Sequence, residues 1–185
     1  MRVGLLALQG AFVDHYPILK RLGVSVVEIR GPTDLLQIER LIIPGGESTV
    51  MAKYIKMFNM TLPLRNIIAQ GLPVWGICAG CILLANTVDQ CPGPLKVLNI
   101  SVHRNAYGRQ SQSAVFKIIV PKLQCSVFSA PFIRAPKITW VEKDVEVHAD
   151  YSGDPVFVQQ GAVMATTFHP ELTGDPILHD YFLNI

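Results

Sequence analysis

Two short stretches of this sequence carry side chains that could act together on an electrophilic carbonyl: Gly76-Ile77-Cys78-Ala79-Gly80 and His169-Pro170-Glu171. In the first, a cysteine stands between two glycines directly after the apolar run Leu72-Pro73-Val74-Trp75. That spacing predicts a nucleophile elbow, a sharp strand-to-helix turn in which only glycine tolerates the crowding on either side of an exposed reactive residue. A helix starting at the thiol would favour its anionic form. A cysteine nucleophile needs a base to take its proton and a third group to orient that base. His169 and Glu171 are residues of those types, and Pro170 fixes a backbone dihedral between them. Taken singly, each has a plainer explanation: Cys78 as a small buried hydrophobe, His169 as a loop histidine, Glu171 as an acid at a helix start.

Attack on a carbonyl places negative charge on its oxygen, so donors are needed nearby. Pro44-Gly45-Gly46-Glu47-Ser48 is a candidate source, because paired glycines let backbone N–H groups face a ligand unobstructed. Gly46 and the backbone N–H of Ala79 would form the oxyanion hole. The simpler alternative is a tight turn with a helix cap at Ser48.

The elements that must position these groups follow from the hydrophobic pattern. Residues 3–8, 24–29, 40–43, 74–77 and 162–167 read as buried strands, and 12–22, 49–58, 62–69, 79–86 and 176–183 as helices. Their alternation implies an α/β fold: a three-layer sandwich with a mainly parallel central sheet and helices on both faces. Residues 97–102, 114–120, 137–141, 145–149 and 156–160 read as turn-linked strands, a small antiparallel extension. Cys78 and His169 would then both emerge at the carboxyl edge of the sheet, where open α/β proteins collect their sites. A length of 185 residues suits one domain, residues 1–185.

Composition narrows the function classes. Sixteen basic against fourteen acidic residues give a formal charge of +2, with no run of Lys or Arg to track a phosphate backbone, so nucleic acid is not expected as a partner. Apolar runs fall short of the ~20 residues that span a bilayer. The basic-then-apolar start is interrupted by Gly4 and stops at Gln9, which reads as a first strand, not a signal peptide. Cys78, Cys81, Cys91 and Cys125 lack the spacing of a disulfide scaffold, and a reducing cytoplasm is the expected compartment. No metal and no cofactor is expected.

These motifs together resemble the class I glutamine amidotransferases. The elbow and His169-Pro170-Glu171 match the class as a whole. Within it, Leu8-Gln9-Gly10, Pro44-Gly45-Gly46-Glu47-Ser48-Thr49, Arg104-Asn105-Ala106-Tyr107-Gly108-Arg109-Gln110 and Phe132-Ile133-Arg134-Ala135-Pro136 look like the glutaminase subunits of pyridoxal 5'-phosphate synthases. The resemblance implies that Cys78 attacks the side-chain amide of L-glutamine, His169 moves the proton to departing ammonia, and Glu171 orients His169. It places Gly46, Glu47 and Ser48 on a substrate loop and Arg104, Ile133 and Arg134 among the other glutamine contacts. Two arginines suit an α-carboxylate, and Glu47 suits the α-ammonium. The implied partner is a synthase subunit forming a dodecameric ring decorated by glutaminase subunits. That ring condenses the ammonia with sugar phosphates into the vitamin B6 cofactor. Such glutaminases are commonly poor catalysts alone, and a flexible Gly45-Gly46 peptide offers the partner a donor to orient.

Three positions depart from the resemblance: Cys81 where an apolar residue is expected, His103 where an acid is expected, and Gly174 where an acid is common. Cys78-Ala79-Gly80-Cys81 also has the spacing of a redox pair. A thiol-disulfide oxidoreductase, a glutaminase serving another ammonia-requiring synthase, and a silent binding module are the competing readings.

Overall fold

The computed structural model describes residues 1–104, 113–123 and 127–185. Asn105, Ala106, Tyr107, Gly108, Arg109, Gln110 and Cys125, singled out above, lie outside the described residues. The first half runs β1 (Arg2–Leu6), a 3-10 turn (Phe12–His15), α1 (Tyr16–Arg21), β2 (Ser25–Ile29), a 3-10 turn (Pro32–Gln37), β3 (Arg40–Ile43), α2 (Ser48–Met57), α3 (Thr61–Ala69), β4 (Val74–Ile77) and α4 (Ala79–Leu84). There follow β5 (Ala85–Val88), β6 (Cys91–Pro92), β7 (Leu98–His103), β8 (Ala114–Ile118), β9 (Phe128–Phe132), β10 (Lys137–Val141), β11 (Glu146–Tyr151), β12 (Asp154–Gln160), β13 (Val163–Thr166), a 3-10 turn (Pro170–Leu172) and α5 (Ile177–Leu183).

The central sheet has seven strands in the order β11-β12-β13-β4-β3-β1-β2. The stretch from β13 to β2 is parallel, and β12 and β11 add an antiparallel edge. Strands covered on both faces are apolar throughout, because neither face meets water. In β3, Leu41 and Ile43 join one core with Met51, Ile55 and Leu64, while Ile42 joins the other with Trp75, Leu19 and Phe182. This two-residue alternation sends neighbouring side chains to opposite layers. Helices α2, α3 and α4 therefore cover one face, and α1 and α5 the other.

Two smaller sheets flank this frame: β10-β7-β5-β6, and the pair β8-β9. Two expectations need correction here. The helix anticipated over residues 79–86 stops at Leu84, and Ala85 opens β5, which pairs in parallel with β7. Every residue of α4 is buried, so local periodicity held no boundary, and the pairing with β7 decided it. Strand β9 was not anticipated either, since Ser129 and Pro131 lower its strand character; β8 pairs with it along its length.

Candidate active site

Strand β4 delivers Cys78 to its carboxyl end. The Cys78 backbone adopts φ 50° and ψ −100°, a conformation that costs a non-glycine residue about 1–3 kcal/mol and persists only when its surroundings impose it. They do so here. The Cys78 N–H donates to Thr166 O at 2.8 Å, and the Cys78 carbonyl accepts the Ile82 N–H at 3.2 Å. A Cβ on Gly76 would sit 2.5 Å from Leu84 Cδ1, and one on Gly80 would sit 2.1 Å from the Ile43 carbonyl oxygen. The flanking glycines are thus required by the packing of α4 against β4 and β3.

Strand β13 lies parallel to β4 with Thr166 opposite Ile77, so the next turn of chain arrives beside Cys78. His169 is anchored there by its N–H, which donates to Pro131 O of β9 at 2.8 Å. Its Nδ1 lies 2.7 Å from Glu171 Oε1, and the Glu171 side chain is fully buried. A carboxylate only accepts, so Nδ1 carries the proton in this pair and Nε2 remains for the thiol. Burial acts to lower the His169 pKa, but hydrogen bonds to Cys78 and Glu171, and their charges, outweigh it and push the pKa up to about 10. A protonated imidazole beside a thiolate is the form in which a cysteine is a ready nucleophile.

The loop after β3 forms the next wall. Gly45 O accepts the Ala11 N–H at 2.9 Å, and because the peptide is planar and trans the Gly46 N–H faces the opposite side. Glu47 N donates to Gln9 Oε1 at 3.0 Å, fastening the loop to the segment after β1. The helix cap is Glu47 and not Ser48, the alternative weighed above: its Oε1 accepts from Thr49 N at 3.4 Å and Thr49 Oγ1 at 3.0 Å. Ser48 occupies the first turn of α2 and is buried.

These pieces surround one cavity of about 570 Å³. Cys78 and His169 lie on its wall, with Gly46, Glu47, Ser48 and Ala79 on the side of the β3 and β4 loops. Arg104, Ile133 and Arg134 line it as well. Glu171 stays behind His169, outside the lining. Ile133 O lies 4.0 Å from Cys78 Sγ, and Arg134 turns the chain with φ 45° after β9. Asp89 also lines the cavity and was not singled out from the sequence. It follows β5, itself unrecognised, and carries no motif that could have marked it.

Cys81 does not partner Cys78. Its side chain belongs to the core on the opposite face of the sheet from that of Cys78. Burial, with the Cys78 charge, pushes its thiol far above the ordinary range. A buried, protonated thiol is poorly suited to resolve a mixed disulfide, which argues against the oxidoreductase reading. Among the described residues, no three His, Cys, Asp or Glu side chains are grouped to hold a metal, and no helix is long and apolar enough to cross a membrane.

The sequence profile of the SNO glutamine amidotransferase family matches residues 5–185. The chain belongs to this family. It is 46% identical over 185 residues to the pyridoxal 5'-phosphate synthase subunit PdxT of Dictyoglomus turgidum, covering 99% of this chain and 97% of that protein. It is also 46% identical over 186 residues to the PdxT of Moorella thermoacetica, covering 100% and 99%. A solved structure, a crystal structure of a glutamine amidotransferase, superposes with a TM-score of 0.92 at 42% identity over 98% of this chain and 97% of that one. The α/β sandwich described above is the class I glutamine amidotransferase fold.

Proposed function

We propose that this family member is a glutaminase that hydrolyses L-glutamine to L-glutamate and ammonia and supplies the ammonia to a pyridoxal 5'-phosphate synthase. The observation that carries the mechanism is the chain of contacts from Cys78 through His169 to buried Glu171 in the wall of a single cavity.

In this reading the Cys78 thiolate attacks the side-chain carbonyl carbon of L-glutamine. The Gly46 and Ala79 N–H groups meet the oxyanion. Protonated His169 gives its proton to the amide nitrogen as the C–N bond breaks, releasing ammonia and leaving a γ-glutamyl thioester. Neutral His169 then takes a proton from water, whose oxygen attacks the thioester; the Cys78 thiolate leaves, restoring the starting pair, and glutamate departs as its carboxyl proton passes to ammonia. Glu47, Ser48, Arg104, Ile133 and Arg134 hold the amino-acid end of the substrate, the arginines serving its carboxylate.

The partner is the synthase subunit, arranged as a dodecameric ring carrying glutaminase subunits, in the cytoplasm and without nucleic acid or membrane. The PdxT names of the similar proteins support that acceptor over another ammonia-requiring synthase. Ammonia release from L-glutamine, measured with and without the cognate synthase, tests the reading. Activity should rise on adding synthase and vanish in Cys78→Ala; activity retained in that variant overturns the mechanism.

A further inference from the structure

Asp89 reaches the cavity from a two-residue turn. Asp89 and Gln90 join β5 to β6 with φ 48° and 65°, positive at both positions as a tight type I′ hairpin requires. The Asp89 N–H donates to Val102 O at 2.9 Å, which ties the turn to β7. Its carboxylate then closes over the end of that strand. Oδ1 accepts the Arg104 N–H at 2.9 Å and lies 2.8 Å from His103 Nδ1, while Oδ2 accepts Arg104 Nε at 2.5 Å. Asp89, His103 and Arg104 line the same cavity as Cys78 and His169.

An arginine side chain is long and rotamer-rich, and its recognition of carboxylates depends on the direction of a planar fork. The bond to its backbone N–H fixes where Arg104 leaves the chain, and the bond to Nε sets the direction of the guanidinium from its inner edge. With Nε engaged, the two Nη groups form the outer edge, the edge that can offer parallel donors to a second carboxylate. The pair is half-exposed, at 38% for Arg104 and 27% for Asp89, so solvent screens its charge attraction and the direction of the hydrogen bonds is what aims the fork. The hydrogen bonds and charge from Arg104 and the charge from His103 overcome burial and hold the Asp89 carboxyl below its usual range, keeping it ionised.

We infer that Asp89 is a positioning residue for substrate recognition: it aims the Arg104 fork so that its outer edge receives the α-carboxylate of the amino-acid substrate. This rests on the glutaminase reading above. A plain structural role, pinning a hairpin to β7, predicts a general loss of integrity instead, and the two differ in what they do to Cys78.

The test uses the subunit bound to its cognate synthase. Asp89→Asn should raise KM for L-glutamine about tenfold, the loss of a charge-assisted hydrogen-bond network, with kcat within about twofold. Labelling of Cys78 by 6-diazo-5-oxo-L-norleucine, which carries an α-carboxylate, should slow about tenfold, while alkylation by iodoacetamide, which has none, should hold its rate. Asp89→Glu should recover part of the loss. In an Arg104→Ala background, Asp89→Asn should change KM less than about twofold, because the group it aims is gone. Should Asp89→Asn not fold, Asp89→Glu asks the same question, since the extra methylene displaces the carboxylate from Arg104 Nε while keeping its charge: KM must rise with iodoacetamide alkylation unchanged. An unchanged KM, equal slowing of both labels, or fully multiplicative effects in the double variant overturns the assignment. A wild-type complex that releases no ammonia overturns the glutaminase reading and this inference together. Normal wild-type turnover with an unmoved Asp89→Asn KM overturns only the role of Asp89.

Discussion

Gly45 is the floor under the His169 ring: a Cβ at residue 45 would lie 2.4 Å from the imidazole Cε1 and 3.0 Å from Nδ1. Gly45→Ala must therefore push the ring off Glu171 or away from Cys78. Misplacing a catalytic group by about 1 Å costs on the order of 100-fold. We expect kcat for ammonia release to fall by about that factor while the circular dichroism spectrum is unchanged. A Gly45→Ala enzyme of near-normal kcat would show that the ring does not need this floor.

The buried Glu171 carboxylate should matter through charge as well as geometry. Glu171→Gln keeps the shape but removes the negative charge that helps hold the His169 proton. Turnover should drop by roughly 100- to 10,000-fold. The His169 titration, about 10 in the wild type, should move down in Glu171→Gln and also in Cys78→Ser, as followed by imidazole NMR. The sign for stability follows: a histidine pKa raised on folding stabilises fully below its unfolded value of about 6.5. That contribution is lost as pH rises through about 10.

A pair of buried histidines should act in the opposite direction. His15 Nδ1 and His179 Nε2 lie 2.9 Å apart, both fully buried, with the His179 ring edge-on to Trp75 at 4.9 Å. Burial, then the Arg21 charge, lowers His179 to about 4; burial, then the His179 and His169 charges, lower His15. A histidine pKa lowered on folding stabilises above the unfolded value of about 6.5 and loses that contribution as pH falls. For His179 the loss runs from about pH 6.5 to about 4 and amounts to about 3 kcal/mol. Urea midpoints should decline across that window, and His179→Phe should flatten the decline.

Gly80→Ala should destabilise the fold because the clash is with backbone. The new methyl would meet the Ile43 carbonyl oxygen at 2.1 Å, forcing α4 away from β3. Overpacking of this kind costs roughly 1–3 kcal/mol or more. The melting temperature should fall by several degrees, and because α4 begins directly after Cys78, glutaminase activity should fall with it. A Gly80→Ala protein with the wild-type melting temperature would contradict this packing.

Cys81→Ala should leave chemistry intact. The side chain fills the core opposite Cys78, so its loss removes packing and little else. We expect a loss of about 1 kcal/mol in stability with kcat within about twofold, and sensitivity to peroxide equal to that of the wild type. Protection from peroxide in Cys81→Ala would mean that the two thiols do meet.

The candidate site was legible because its signals are local. A cysteine between glycines after an apolar run specifies a strand, a strained turn and a helix within about ten residues, and β4, Cys78 and α4 follow that order. His169-Pro170-Glu171 carries its own hydrogen bond within three residues. Asp89 was not legible, because its place comes from β5, a four-residue strand of little individual character, pairing in parallel with β7. The same pairing ended α4 two residues early, and β9, with Pro131 inside it, supplies the carbonyl that anchors His169.

Which residues could react, and in what chain order, is written in residue type, glycine spacing and strand periodicity, which act over short distances. Packing in three dimensions sets Gly45 under His169, puts Cys81 in the core on the other face of the sheet from Cys78, and brings Asp89 onto Arg104. Each depends on sheet register and layer packing, which bring together residues far apart in the chain and leave no periodic trace in it.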